Sequence, residues 1–135
     1  MLNFSDLELN DDLTDEDYNC YNPLKPISIL GYDEIDAEAI TISISKKLHN
    51  DQVMELLNNY LDFLMNCEEQ IESYFSGMLS VELNEDWLDD IEVYELSITI
   101  NTNDDYGATM VLSNAAFGDC DIEIDFDKET IEDHR

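Results

Sequence analysis

Positive charge is what this chain of 135 residues has least of: five Lys and Arg stand against 34 Asp and Glu, for a net charge of −29. Nucleic acid and anionic membranes both demand the opposite sign in a partner, so direct binding to either is not expected. Histidine occurs twice, at His49 and His134, and cysteine three times, at Cys20, Cys67 and Cys120. Cysteines that are odd in number and far apart make no disulfide framework, and with two histidines they have no zinc-ligand spacing. They read as buried thiols in a reducing compartment. No glycine-rich loop that would cradle a phosphate occurs, and no nucleophile elbow. No repeat or low-complexity linker divides the chain either, so one domain over residues 1–135 is expected, with its core in 26–127. No basic residue precedes Lys25 and no apolar run approaches a membrane span, which predicts a cytoplasmic protein without membrane attachment.

Hydrophobic residues make up 44% of the chain, enough to bury a real core. The stretch Asn50–Gly77 organises them. Val53, Leu56, Leu57, Tyr60, Leu61, Leu64, Ile71, Tyr74, Phe75 and Met78 recur at the three-and-four spacing of one helical face. Asn50 suits the N-cap, Asp51 the first turn and Gly77 the stop. About 26 residues at 1.5 Å each would reach ~39 Å, too long for a domain this size, so a bend or a break into two helices is expected where Asn66 and Cys67 interrupt the apolar row.

Strands flank this block. Ile27, Ile29 and Leu30 begin one before Gly31, and Ile40, Ile42 and Ile44 alternate with Thr41, Ser43 and Ser45 in another. Met78–Leu83 fits helix or strand. Farther on, Tyr94, Leu96, Ile98 and Ile100 face inward, a turn follows at Asn103–Gly107, and Ala108, Met110 and Leu112 complete a hairpin. A last strand places Cys120, Ile122, Ile124 and Phe126 inward and Asp119, Asp121, Glu123, Asp125 and Asp127 outward. Residues 1–20 suit a flexible acidic tail, or one helical turn capped by Thr14 and Asp17. Lys128–Arg135 read as frayed. The fold class expected is α+β, an antiparallel sheet packed on one long or bent amphipathic helix in the order β-β-α-β-β-β, its other face polar and strongly acidic.

The acids are the candidate site. Five at period two on the last strand would repel one another unless something cationic covered them, although outward charge on one strand is more often a solvated face. The whole-chain charge tips the reading toward a basic protein partner. Extreme halophily is the plainer explanation, but an Ile- and Asn-rich composition argues against it. The turn acids Asp104 and Asp105 extend the surface. Trp87 among Glu85, Asp86, Asp89 and Asp90 reads either as a binding hot spot or as a core anchor. A calcium loop at Asp15, Asp17 and Asn19 fails, with Cys20 where glycine is required and Pro26 where the bidentate Glu belongs. A second, at Asn101, Asn103 and Asp105, has Gly107 one place late. No metal, cofactor or catalytic residue is assigned, since paired carboxylates among 34 acids carry no information.

Three stretches carry a resemblance: Pro26-Ile27-Ser28-Ile29-Leu30-Gly31, then Tyr60-Leu61-Asp62-Phe63-Leu64 with Gln70-Ile71-Glu72-Ser73-Tyr74-Phe75, and the hairpin from Tyr94. Over residues 26–127 the chain resembles small acidic immunity proteins of bacterial polymorphic-toxin and contact-dependent growth inhibition systems. Ala115-Ala116-Phe117-Gly118 departs from the more aromatic, glycine-rich ending of that group. The resemblance implies a non-enzymatic inhibitor that neutralises a cognate toxin, frequently a nuclease. Two rival expectations stand beside it: a nucleic-acid mimic that blocks a restriction or CRISPR effector, and a domain with a metabolic or metal-handling role.

Overall fold

A computed structural model of the chain describes residues 3–29, 33–48, 50–77, 92–113 and 122–131. It is an α+β fold, and its strands and helices alternate differently from the expected order. Five strands come first: β1 (Leu7–Leu9), β2 (Tyr18–Pro23), β3 (Ile27–Ile29), β4 (Asp33–Ile35) and β5 (Ile40–Ser45). The helices α1 (Asn50–Met65) and α2 (Glu68–Gly77) follow, then β6 (Glu92–Thr102), β7 (Asp105–Ser113), β8 (Ile122–Asp127) and β9 (Thr130–Ile131). The order β-β-α-β-β-β is thus corrected at both ends of the helical block.

Seven strands form one sheet in the order β1-β2-β5-β6-β7-β8-β9, while β3 and β4 pair separately. The sheet is mixed rather than antiparallel, because β5 and β6 run parallel at its centre. The physical reason is the connection: a crossover holding both helices carries the chain back to its starting end before β6 begins, and neighbours joined that way must be parallel. Its other pairs are antiparallel.

The helical block breaks where the apolar row is interrupted, giving two helices and not one. The Asn66 amide side chain donates to the Asp62 carbonyl at 2.9 Å and the Cys67 thiol to the Leu64 carbonyl at 3.3 Å, satisfying carbonyls at the end of α1. Cys67, read in the sequence as a buried thiol, is 0% exposed and belongs to the core. Val53, Leu57, Tyr60, Leu61, Leu64 and Ile71 pack with it against one sheet face. That face is built from Ile40, Ile42 and Ile44 of β5, Leu96, Ile98 and Ile100 of β6, Ala108, Met110 and Leu112 of β7, and Ile124 and Phe126 of β8. Each such Ile or Leu contributes about 1.5–3 kcal/mol by leaving water. An aromatic cluster ties α1 to the C-terminal strands: Tyr60 packs edge-on to Tyr106 and Phe63 edge-on to Phe126, and the Tyr60 hydroxyl donates to the Lys128 carbonyl at 2.7 Å.

Further expectations are corrected. The first twenty residues supply β1 and the start of β2, with Leu7 in the core. Thr14 caps no helix; its hydroxyl donates to the Asn10 carbonyl and accepts from the Cys20 amide, which fastens the β1–β2 loop. Tyr94 is 48% exposed, because a bulge between Val93 and Glu95 shifts the alternation by one residue before Leu96 turns inward. The stretch after Phe126 forms the β8–β9 hairpin through Lys128, whose φ is 56°. Gly31, Met78–Leu83 and Cys120 lie outside the described residues. Among those described, no helix is long and apolar enough to cross a membrane.

Candidate functional site

The second face of the sheet faces away from the apolar core, and strand alternation decides what stands on it. If isoleucine takes every inward position of β5, the intervening Thr41, Ser43 and Ser45 must point outward. Register then carries the pattern across: Glu8 lies opposite Asn22, Thr41 opposite Ser97, Ser97 opposite Thr109, and Thr109 opposite Asp125. The result differs from the strongly acidic face expected. Hydroxyl and amide side chains occupy the middle, and carboxylates stand at the margins.

At the C-terminal margin, a concavity of about 390 Å³ lies over β6, β7 and β8. Ser97, Thr99, Asn101 and Thr109 line it together with the carboxylates of Asp105, Asp125 and Asp127. The Thr109 hydroxyl donates to Asp125 Oδ1 at 2.7 Å, and Asn101 Nδ2 donates to Asp105 Oδ2 at 3.3 Å. Asn101 is itself held by the Tyr18 hydroxyl from across β5. Asp105 and Asp125 are therefore held by hydrogen bonds from the floor and oriented before any partner arrives. Gly107 forms part of the concavity, and a Cβ there would lie 2.4 Å from the Phe126 carbonyl oxygen. The sequence assigns this glycine to a turn; the structure places it within β7, where only the absence of a side chain permits β8 to come so near.

Of the acids singled out in the sequence, Asp105, Asp125 and Asp127 converge on this concavity. Glu123 is exposed on the same strand row, and Asp104 is exposed in the β6–β7 turn, where its amide is held by the Thr102 hydroxyl at 3.1 Å. Asp119, Asp121, Glu85, Asp86, Trp87, Asp89 and Asp90 lie outside the described residues. The residues that sequence reasoning missed are Asn101, Thr109 and Gly107. The signal for the first two was the alternation itself, which marks them as outward neighbours of the acids. Elsewhere, the Asp15 carboxyl is held below its ordinary range by the backbone amides of Tyr18 and Asp17, each donating at 2.8 Å, with the positive charge of Lys46 adding to the effect. Among the described residues no three His, Cys, Asp or Glu side chains converge as a metal ion would require.

The class that fold and surface define is a small α+β protein with an acid-edged, hydroxyl-bearing sheet face. Compared with protein-family models, with curated proteins and with solved structures, the chain matches none.

Proposed function

We propose that this protein is an immunity-type inhibitor that binds a cognate bacterial toxin, a nuclease, and neutralises it through its acidic surface. The observation that carries the reading is charge: a net −29 with outward carboxylates at Glu123, Asp125 and Asp127 on one strand, Asp104 in the adjoining turn and Asp105 at the start of β7. Nucleases gather Lys and Arg to hold phosphates, so an inhibitor of opposite sign gains complementarity and a steered, fast encounter. It acts by occupying the groove and needs no catalytic group of its own. A nucleic-acid mimic would instead carry carboxylates in two rows spaced like duplex phosphates. On the described face the carboxylates stand on β8, at the ends of β6 and β7 and on β1, around uncharged hydroxyls and not in two parallel rows, which ranks that reading second.

The test is a binding titration of wild type and a Glu123→Lys/Asp125→Lys double variant against the toxin encoded beside the gene, at two salt concentrations, with circular dichroism as the folding control. Association of the variant should slow by an order of magnitude or more at low salt, and protection should fall with it. Unchanged affinity and salt dependence in a folded variant would refute the role of this row.

A further inference from the structure

The outer sheet face has an arrangement that total charge does not explain. In a chain with 34 acids, the outward positions at the centre of the sheet, Thr41, Ser43, Ser97, Thr99, Asn101 and Thr109, carry no charge at all. Their side chains are short and Gly107 beside them has none, so over β6 and β7 the backbone surface lies low, while toward β5 the Tyr18 side chain reaches across to Asn101. Charge returns around the edge: Glu95 of β6 and Asp105 of β7 stand exposed at the two ends of this floor, and more carboxylates flank it on either side. Beyond β7 stand Glu123, Asp125 and Asp127; beyond β2 stands Glu8, which lines a second concavity of about 430 Å³ with Glu38, Asn22 and Thr41. The lysines of the described residues lie outside the strands: Lys25 precedes β3, Lys46 and Lys47 follow β5, and Lys128 sits in the β8–β9 turn. A neutral centre with a charged rim is the anatomy of a protein interface, where charge is depleted from the part that loses its water and kept where water remains.

We infer that this face is a docking surface whose centre is the uncharged floor of β5, β6 and β7, and that it seats a basic protein element with two banks of Lys or Arg separated by uncharged polar residues. The row from Glu8 to Asp125 crosses from β1 to β8 through β2, β5, β6 and β7, about five strand spacings of ~4.8 Å, which sets the banks ~24 Å apart. Charge complementarity selects this occupant. A second copy of the chain would bring acid rim onto acid rim, and nucleic acid is repelled outright. The inference rests on the basic-partner reading above and adds a division of labour: the rim acids govern the rate of encounter, while the floor governs how long the complex lasts.

Two Ala-rich helical peptides of about 16 residues, ~24 Å long, provide the probe. One carries arginines grouped at its ends with Ser and Ala between; the other has the same composition with the arginines evenly spread. Titrated into isotope-labelled protein, the end-grouped peptide should bind at least about fivefold more tightly and shift the amides of Thr41, Ser97, Thr99 and Thr109. Ser97→Tyr fills the floor without altering charge at an exposed position, and should weaken the end-grouped peptide about tenfold while sparing the evenly spread one. Ser97→Gln serves if the tyrosine variant does not fold. Equal affinities for the two peptides, or shifts centred on the exposed helix acids Glu55, Asp62, Glu69 and Glu72, would overturn the inference. So would a folded floor variant that binds both peptides as wild type does. A cognate toxin neutralised normally by the floor variant overturns the inference and leaves the proposed function standing. Failure of wild type to neutralise any toxin overturns that function, and the peptide comparison still decides the docking geometry.

Discussion

Replacing Gly107 with alanine asks whether the concavity beneath the acids is set by backbone approach. The new methyl carbon would meet the Phe126 carbonyl oxygen at 2.4 Å. Carbon and oxygen in contact settle at about 3.3–3.6 Å, so β7 and β8 must part by about 1 Å at this point. Phe126 cannot retreat freely: its side chain is 4% exposed and packs edge-on to Phe63, and its backbone also pairs with Ile131 of β9. The opening therefore falls on the ladder at Gly107 opposite Asp127 and Ala108 opposite Phe126. Losing one or two ladder bonds at ~1 kcal/mol each, with overpacking of comparable size, gives a destabilisation of about 2–4 kcal/mol. Urea unfolding of wild type and Gly107→Ala, followed by circular dichroism, measures it. The Thr109–Asp125 hydrogen bond lies on the neighbouring rung and should loosen as well, visible as a changed hydroxyl environment by NMR. A loss below ~0.5 kcal/mol would refute the close-approach argument and return Gly107 to an ordinary strand position.

Other outcomes follow from the same packing and charge. Leu61→Ala, in the apolar stripe of α1, should cost about 2–5 kcal/mol, whereas Asp62→Ala one residue on, exposed, should cost under ~0.5; equal losses in urea unfolding would mean that the helical phase is misassigned. Burial pushes the Cys67 thiol up to about 12 from 9.0, the charge of Glu68 adding to the effect. The unfolded chain therefore releases this proton first, so stability is intact below about pH 9 and declines by roughly 1.4 kcal/mol per pH unit above it. Cys67→Ala should flatten that alkaline decline in unfolding curves between pH 8 and 10.5, and parallel curves would remove the thiol from the account. With a net charge of −29, thermal midpoints should rise as ionic strength goes from 0.01 to 0.1 M and the Debye length shrinks from ~30 to ~10 Å; a flat midpoint would mean that the repulsion is already locally compensated.

Periodicity by itself determined which residues are inside. Alternation in Ile40–Ser45 and in Ala108–Leu112, and the three-and-four spacing through Leu64, are local properties of the chain, and each predicted inner face is the one buried. The break near Asn66 was legible too, since length and weak helix formers coincide there. Tyr94 was misread because a bulge inserts one residue into the count, and no composition marks its place. The β6–β7 hairpin was legible from its turn, but neighbours distant in the chain were beyond reach: β5 and β6 are parallel partners because the helices return the chain across the sheet, a long-range contact that no local pattern encodes. The acids could be counted from the sequence, but not which of them meet. Asp105 and Asp125 are twenty residues apart in the chain and share a concavity only because β7, which Asp105 begins, pairs with β8, with Gly107 allowing the close approach. Side-chain direction is settled by the backbone of a few residues, whereas register and sheet order follow from burying every apolar face at once, and that is a property of the folded whole.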